Sequence, residues 1–120
     1  MSVRIAIVDD DASVRSATKS LLRSLGFSVE PFASAEEFLN SSDLVMTSCV
    51  ISDVRMPGIG GVELQSRLIA EGHRIPIIFV TAFPEETLKK RALDAGAIGF
   101  LTKPYRQQNL LECLERALRV

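Results

Sequence analysis

The stretch IAIVDDDASVRSATKSLLRSLGFSVEPF, residues 5–32, decides the fold. It opens on a continuous apolar run, Ile5 to Val8, that stops abruptly at Asp9, Asp10 and Asp11. An unbroken run of this kind fits a strand covered on both faces, because a strand with one wet face alternates instead. Next, Val14, Ala17, Thr18, Leu21, Leu22 and Leu25 recur at spacings of three and four, which places one apolar stripe along a helix. Asp11 stands where its carboxylate could cap that helix. Gly26 stands where a left-handed residue would end it. The segment Phe27 to Phe32 then interleaves Ser28 and Glu30 with apolar residues, the alternation of an edge strand.

Working outward, the same strand–helix unit recurs. Further apolar runs are Cys49 to Ile51, Ile77 to Val80 and Ile98 to Leu101. Between them, Ser34-Ala-Glu-Glu37 reads as a capping box opening a second helix. Leu64, Leu68 and Ile69 mark a third helix that ends near Gly72. Pro84 predicts the start of a fourth, with Glu85 and Glu86 at its positive end, running through Leu88, Ala92 and Ala95 to Gly96. Leu110, Leu111, Leu114, Ala117 and Leu118 mark a fifth. Five such units predict an α/β fold: a doubly wound parallel sheet with helices on both faces, since parallel crossovers are right-handed. Periodicity leaves the strand order open.

The composition bounds the function. A chain of 120 residues, 47% hydrophobic and 24% charged, is expected to form one domain spanning 1–120. With 14 basic and 15 acidic side chains the net charge is -1, which gives no broad attraction to nucleic acid or to membrane surfaces. No apolar run approaches the ~20 residues of a membrane helix. The N-terminus does not read as a signal peptide, so a cytoplasmic location is expected. Cys49 and Cys113 lack metal-ligand or CxxC spacing and read as core thiols, with a disulfide as the alternative.

Chemistry collects at the strand ends, where open α/β sheets bind their ligands. The first strand ends in Asp9, Asp10 and Asp11, the third in Asp53, the fourth in Thr81, and the fifth leads to Lys103-Pro104. Clustered carboxylates repel by roughly 4 kcal/mol per pair at ~4 Å and an effective dielectric of ~20. A hard divalent cation, Mg²⁺ or Ca²⁺, would offset that and accept a phosphoryl oxygen. Lys103 supplies an ammonium and Thr81 a hydroxyl donor, so the set points to phosphoryl transfer onto one acid. Singly, each has an ordinary explanation: a cap, a turn residue, a solvated lysine, a packed hydroxyl. Their joint order along the strands carries the inference. His73 reads as a surface histidine.

At these residues the chain resembles the response-regulator receiver family: IVDDD at the first strand, ISDVRMPGIGGVEL after the third, VTA after the fourth and FLTKP after the fifth. The likeness covers essentially the whole chain, and SAEEFL adds a similarity to the FixJ-like group. It implies a flavodoxin-like (CheY-like) sheet in the order 2-1-3-4-5. It implies that Asp53 accepts a phosphoryl group from a sensor histidine kinase, or from a small phosphodonor. Asp9, Asp10, Asp53 and the backbone carbonyl of Arg55 would hold Mg²⁺, and Thr81 and Lys103 would contact the phosphoryl oxygens. The Lys103–Pro104 peptide would be cis. Thr81 and Phe100 would switch together, with plain packing of Phe100 in its strand as the alternative, and be reported through helix four, strand five and helix five, a face that would also support a homodimer. The receiver would assist its own phosphorylation and dephosphorylation without acting as an enzyme on another substrate. Its output would be transcription, through a downstream DNA-binding domain, with no nucleic-acid contact by these residues.

Three local features add expectations. Gly58-Ile-Gly-Gly61 predicts a mobile loop before phosphorylation. Phe83 is a candidate shield that slows hydrolysis, or merely an apolar cap on the fourth helix. Asp9, Asp11 and Ser13 also form a DxDxS pattern, which suggests a haloacid-dehalogenase-like phosphohydrolase as the competing reading; a nucleotide-binding module is weaker, since no GxGxxG or GxxxxGK[ST] motif occurs.

Overall fold

Why the apolar runs pair as they do is visible in the computed structural model, which describes residues 3–119. Strands β1 (Arg4–Val8), β2 (Ser28–Phe32), β3 (Cys49–Asp53), β4 (Ile77–Thr81) and β5 (Gly99–Thr102) alternate with helices α1 (Ala12–Ser24), α2 (Ala35–Leu39), α3 (Gly61–Ala70), α4 (Glu86–Asp94) and α5 (Gln107–Leu118). All pairings are parallel, in the order β2-β1-β3-β4-β5. The sheet is therefore the doubly wound one that the sequence predicts, with the strand order the resemblance implies.

Each strand feeds two cores. Ile5, Ile7, Cys49, Ile51, Ile78 and Val80 pack with Leu22 of α1 and with Leu110, Cys113 and Leu114 of α5. Ala6, Val8, Val50, Ile77 and Phe79 pack on the other side with Phe38, Leu64, Leu68 and Ala92 of α2, α3 and α4. Successive residues of a strand point to opposite faces, so a strand buried twice is apolar at nearly every position; buried Ser52 in β3 is an exception whose hydroxyl donates to the Asp53 carbonyl at 2.8 Å. β2 is an edge, as its alternation predicts, and it tolerates Pro31 there because an edge strand leaves one row of N–H groups unpaired. β5 is the other edge despite its apolar run; Phe100 and Leu101 are only half-buried and Thr102 is exposed.

Local signals set the helix ends. Asp11 caps α1, accepting the N–H groups of Ser13 at 2.8 Å and Val14 at 3.2 Å. At the other end Gly26 takes φ 94°, and the N–H groups of Phe27 and Gly26 close on the carbonyls of Leu22 and Arg23 at 3.1 and 3.0 Å. α4 begins later than Pro84 predicts: its first residue is Glu86 and its cap is Glu85. The carboxylate of Glu85 pairs with Arg55 instead of capping, and Phe83 and Pro84 belong to the loop leaving β4. A 3₁₀ turn over Ser42–Met46, tied by Arg4–Asp43 at 2.6 Å, has no counterpart in the apolar periodicity. Cys49 and Cys113 are buried free thiols, and burial, reinforced by the nearby Cys113, pushes the Cys49 thiol up to about 12. No helix among the described residues is long and apolar enough to cross a membrane.

Candidate functional site

Strand parity delivers the site. Asp9 continues the alternation of Ile5 and Ile7, and Asp53 that of Cys49 and Ile51. β1 and β3 pair Ile7 with Ile51, so the two carboxylates leave neighbouring strands at one level. Lys103 follows β5 and reaches back over the end of β4. Its Nζ lies 3.2 Å from Asp9 Oδ2 and 3.4 Å from Asp53 Oδ2, bridging the two acids.

The remaining oxygens are held by backbone. Asp9, only 1% exposed, accepts the Asp11 N–H on Oδ1 at 2.9 Å. Asp53, half-buried, accepts the Arg55 N–H on Oδ1 at 3.3 Å. Asp10 is exposed. Thr81 is buried; its Oγ1 accepts the Phe83 N–H at 3.1 Å and its carbonyl accepts the Lys103 N–H at 2.7 Å, which joins the ends of β4 and β5. The Lys103–Pro104 peptide is cis.

These surroundings set the charges. Burial raises the Asp53 pKa; the Lys103 ammonium pulls it back, Asp9 pushes it up again, and the Arg55 N–H opposes, leaving a net upward shift. For Lys103, burial works against the charged form, but Asp9 and then Asp53 outweigh it, so its pKa is raised and the ammonium is kept. Carboxylate oxygens of Asp9, Asp10 and Asp53 all lie within 4.8 Å of one another. Asp9 and Asp53 share the Lys103 ammonium, and the Arg15 guanidinium donates to the Asp9 carbonyl at 2.7 Å without meeting a carboxylate of the set. All-oxygen donors in that setting fit a hard divalent cation such as Mg²⁺.

The other residues singled out from the sequence lie around this rim. Arg55 is fixed at its N–H by Asp53 and pairs through its guanidinium with Glu85. Both of those side chains are about half exposed, so the pair contributes at most about 1 kcal/mol. Phe100 sits opposite Phe79 in the β4–β5 register, with ring centroids 6.1 Å apart, and packs half-buried on the α2–α4 side. Phe83 is 71% exposed, so its ring does not cover the acids in this conformation. His73 is half-exposed in the loop between α3 and β4, ahead of the first residue of the strand that ends in Thr81. The glycine-rich loop after Asp53 has packing reasons for its composition. A Cβ on Gly61 would lie 2.3 Å from the Asp53 carbonyl oxygen and 2.9 Å from the Phe79 ring, so only glycine lets α3 start this close to the acid.

The model of the response regulator receiver domain matches residues 5–115. The chain belongs to that family. This receiver is 43% identical over 116 residues to the response regulator protein TmoT of Ectopseudomonas mendocina, covering 97% of this chain and 53% of that one. It is 39% identical to the transcriptional regulatory protein FixJ of Bradyrhizobium diazoefficiens, covering 96% of this chain and 56% of that protein. A solved structure of the response regulator StyR superposes with a TM-score of 0.88 at 43% identity, covering 98% of this chain and 60% of that one. The chain thus spans about half the length of the curated relatives it matches. The competing phosphohydrolase reading loses its basis: Asp11 is occupied as the α1 cap, and the family match runs through the receiver motifs instead.

Proposed function

We propose that Asp53 is the phosphoacceptor of this receiver and that Mg²⁺ assists the transfer. An Asp53 carboxylate oxygen forms the new bond to phosphorus. The bond from phosphorus to the donor breaks at the same centre, and its electron pair leaves with the donor: the imidazole nitrogen of a histidine kinase's phosphohistidine, or the acetate oxygen of acetyl phosphate. The observation that carries this reading is Lys103 Nζ held between Asp9 and Asp53 at 3.2 and 3.4 Å. An ammonium already placed beside the nucleophile needs no reorganisation to meet charge that arrives on the phosphoryl oxygens.

Asp9 and Asp10, with Asp53 and the Arg55 carbonyl, would hold the cation. When bound, Mg²⁺ supplies charge neutralisation and a contact for a phosphoryl oxygen. Thr81 would turn its hydroxyl from the Phe83 N–H toward the phosphoryl group. Phe100 would repack against Phe79 in response, and the α4–β5–α5 face would report the change and support a homodimer. The shift can be no larger than the free-energy difference that phosphorylation creates between the two arrangements. The receiver assists its own phosphorylation and dephosphorylation and acts on no further substrate. In the cell it would work in the cytoplasm with a sensor histidine kinase, and control transcription through a DNA-binding domain outside this chain; its own net charge of -1 supports no direct DNA contact.

Metal removal tests the assignment. Incubation with acetyl phosphate and Mg²⁺ is expected to add one phosphoryl mass, and EDTA is expected to abolish the addition. Equal uptake with and without EDTA would count against the cation's role.

A further inference from the structure

The SAEEFL segment, Ser34 to Leu39, plays no part in the site above, yet one of its side chains reaches the loop that carries that site. Ser34 Oγ accepts the Glu37 N–H at 3.0 Å and Phe38 is fully buried, which together fix the short helix α2. Glu36 is then directed at the loop between β3 and α3. Its Oε2 accepts the Ile59 N–H at 3.4 Å, across 23 positions of sequence. The same oxygen occupies the space beside Gly58, where a Cβ would lie 2.3 Å from it, and Gly58 takes φ +76°. The other oxygen, Oε1, is buried with no hydrogen-bond partner among the described residues.

Turning a carboxylate into the protein costs desolvation, so the direction of this side chain calls for an explanation. α2 itself supplies none, because its cap is provided by Ser34 and Glu37 is also present in its acidic first turn. The loop does supply one. It is closed by the Gly61 N–H on the Val54 carbonyl at 2.9 Å, and the Arg55 N–H within it holds Asp53 Oδ1. Fixing Ile59 and Gly58 from outside therefore restricts where the Arg55 backbone can lie.

We propose that Glu36 is a positioning residue: it clamps the loop between Asp53 and α3 and so holds the Arg55 backbone in place for the cation and the phosphoacceptor. The proposal rests on the reading of Asp53 as phosphoacceptor. Glu36 touches neither the reacting atoms nor the cation. Its hydrogen bond to Ile59 needs an acceptor at the end of a side chain of this length, and does not need a full negative charge.

Three measurements on the wild-type chain, Glu36→Ala and Glu36→Gln test it: amide exchange at Ile59, the Kd for Mg²⁺, and Tm. Glu36→Ala is expected to speed exchange at Ile59 and to weaken Mg²⁺ binding, each by roughly three- to tenfold, the range one hydrogen bond supplies. Exchange in β3 and β4 should stay unchanged, and Glu36→Gln should restore both values to within about twofold of wild type, the smallest fraction of that bond. Unchanged exchange at Ile59 in Glu36→Ala would overturn the clamp. So would a uniform loss of protection across the strands, or equal losses of Mg²⁺ affinity in both variants, which would assign the effect to stability or to charge. If Ile59 responds as expected while wild type takes up no phosphoryl group, the clamp stands and the phosphoacceptor assignment fails.

Discussion

Replacing Lys103 with Met is expected to slow phosphoryl uptake from acetyl phosphate by about 10²–10³-fold, the usual cost of removing one preorganised donor from a transition state. Two effects act in the same direction. The incoming phosphoryl oxygens lose the ammonium that now lies 3.4 Å from Asp53 Oδ2. Asp53 also loses the strongest influence holding its pKa down, while burial and Asp9 continue to push it up. At a fixed pH more of Asp53 is then protonated and less is nucleophilic, so the acid limb of the uptake profile should move to higher pH. Because Asp9 is buried and would lose the ammonium paired with its carboxylate, the variant's Tm should depend more steeply on Mg²⁺ than that of wild type. Rate constants from intact-mass time courses across pH check the first expectation. A variant that takes up phosphoryl at the wild-type rate would remove Lys103 from the chemistry.

Gly61→Ala is expected to destabilise the fold by about 1–3 kcal/mol, the usual cost of overpacking a filled site. In a chain of this size that lowers Tm by roughly 3–15 °C. The new methyl would meet the Asp53 carbonyl oxygen at 2.3 Å, and a backbone atom cannot rotate away as a side chain can. Alanine's higher helix propensity, worth about 1 kcal/mol, offsets only part of this at the first residue of α3. The displaced atom belongs to the phosphoacceptor, so uptake should fall along with stability. Gly60→Ala is the comparison: its Cβ would lie 3.0 Å from the Val54 carbonyl oxygen, a tighter contact than usual but one that small adjustments relieve. Thermal melts of the two variants should therefore differ, with Gly61→Ala the lower. Equal melting temperatures would mean that α3 backs away from Asp53 at little cost.

Much of this architecture is legible in the sequence because its signals are local. A strand buried on both faces is apolar at nearly every position, and a helix end has to be capped, so the runs at Ile5, Cys49 and Ile77 and the residues Asp11 and Gly26 announce themselves. The acids, hydroxyl and ammonium were equally legible, since each ends a recognisable strand on the rim where such sheets bind ligands. Strand order was not in the periodicity; it follows from the family's motifs, because crossovers of similar length can reach different neighbours. What local reading missed is long-range. Nothing around Glu36 signals Ile59, nothing around Arg55 signals Glu85, and the reason for Gly61 lies in the Asp53 carbonyl and the Phe79 ring. At the start of α4, likewise, nothing local signals that the Glu85 carboxylate pairs with Arg55 in another loop and makes no cap hydrogen bond.

The most direct test of the central claim is intact-mass analysis of wild type and Asp53→Asn after acetyl phosphate with Mg²⁺. Wild type is expected to gain one phosphoryl group and Asp53→Asn none, because the amide that replaces the carboxylate offers no nucleophilic oxygen while leaving the fold intact. A gain of the same mass by both proteins, or by neither, would contradict the assignment of Asp53 as the phosphoacceptor.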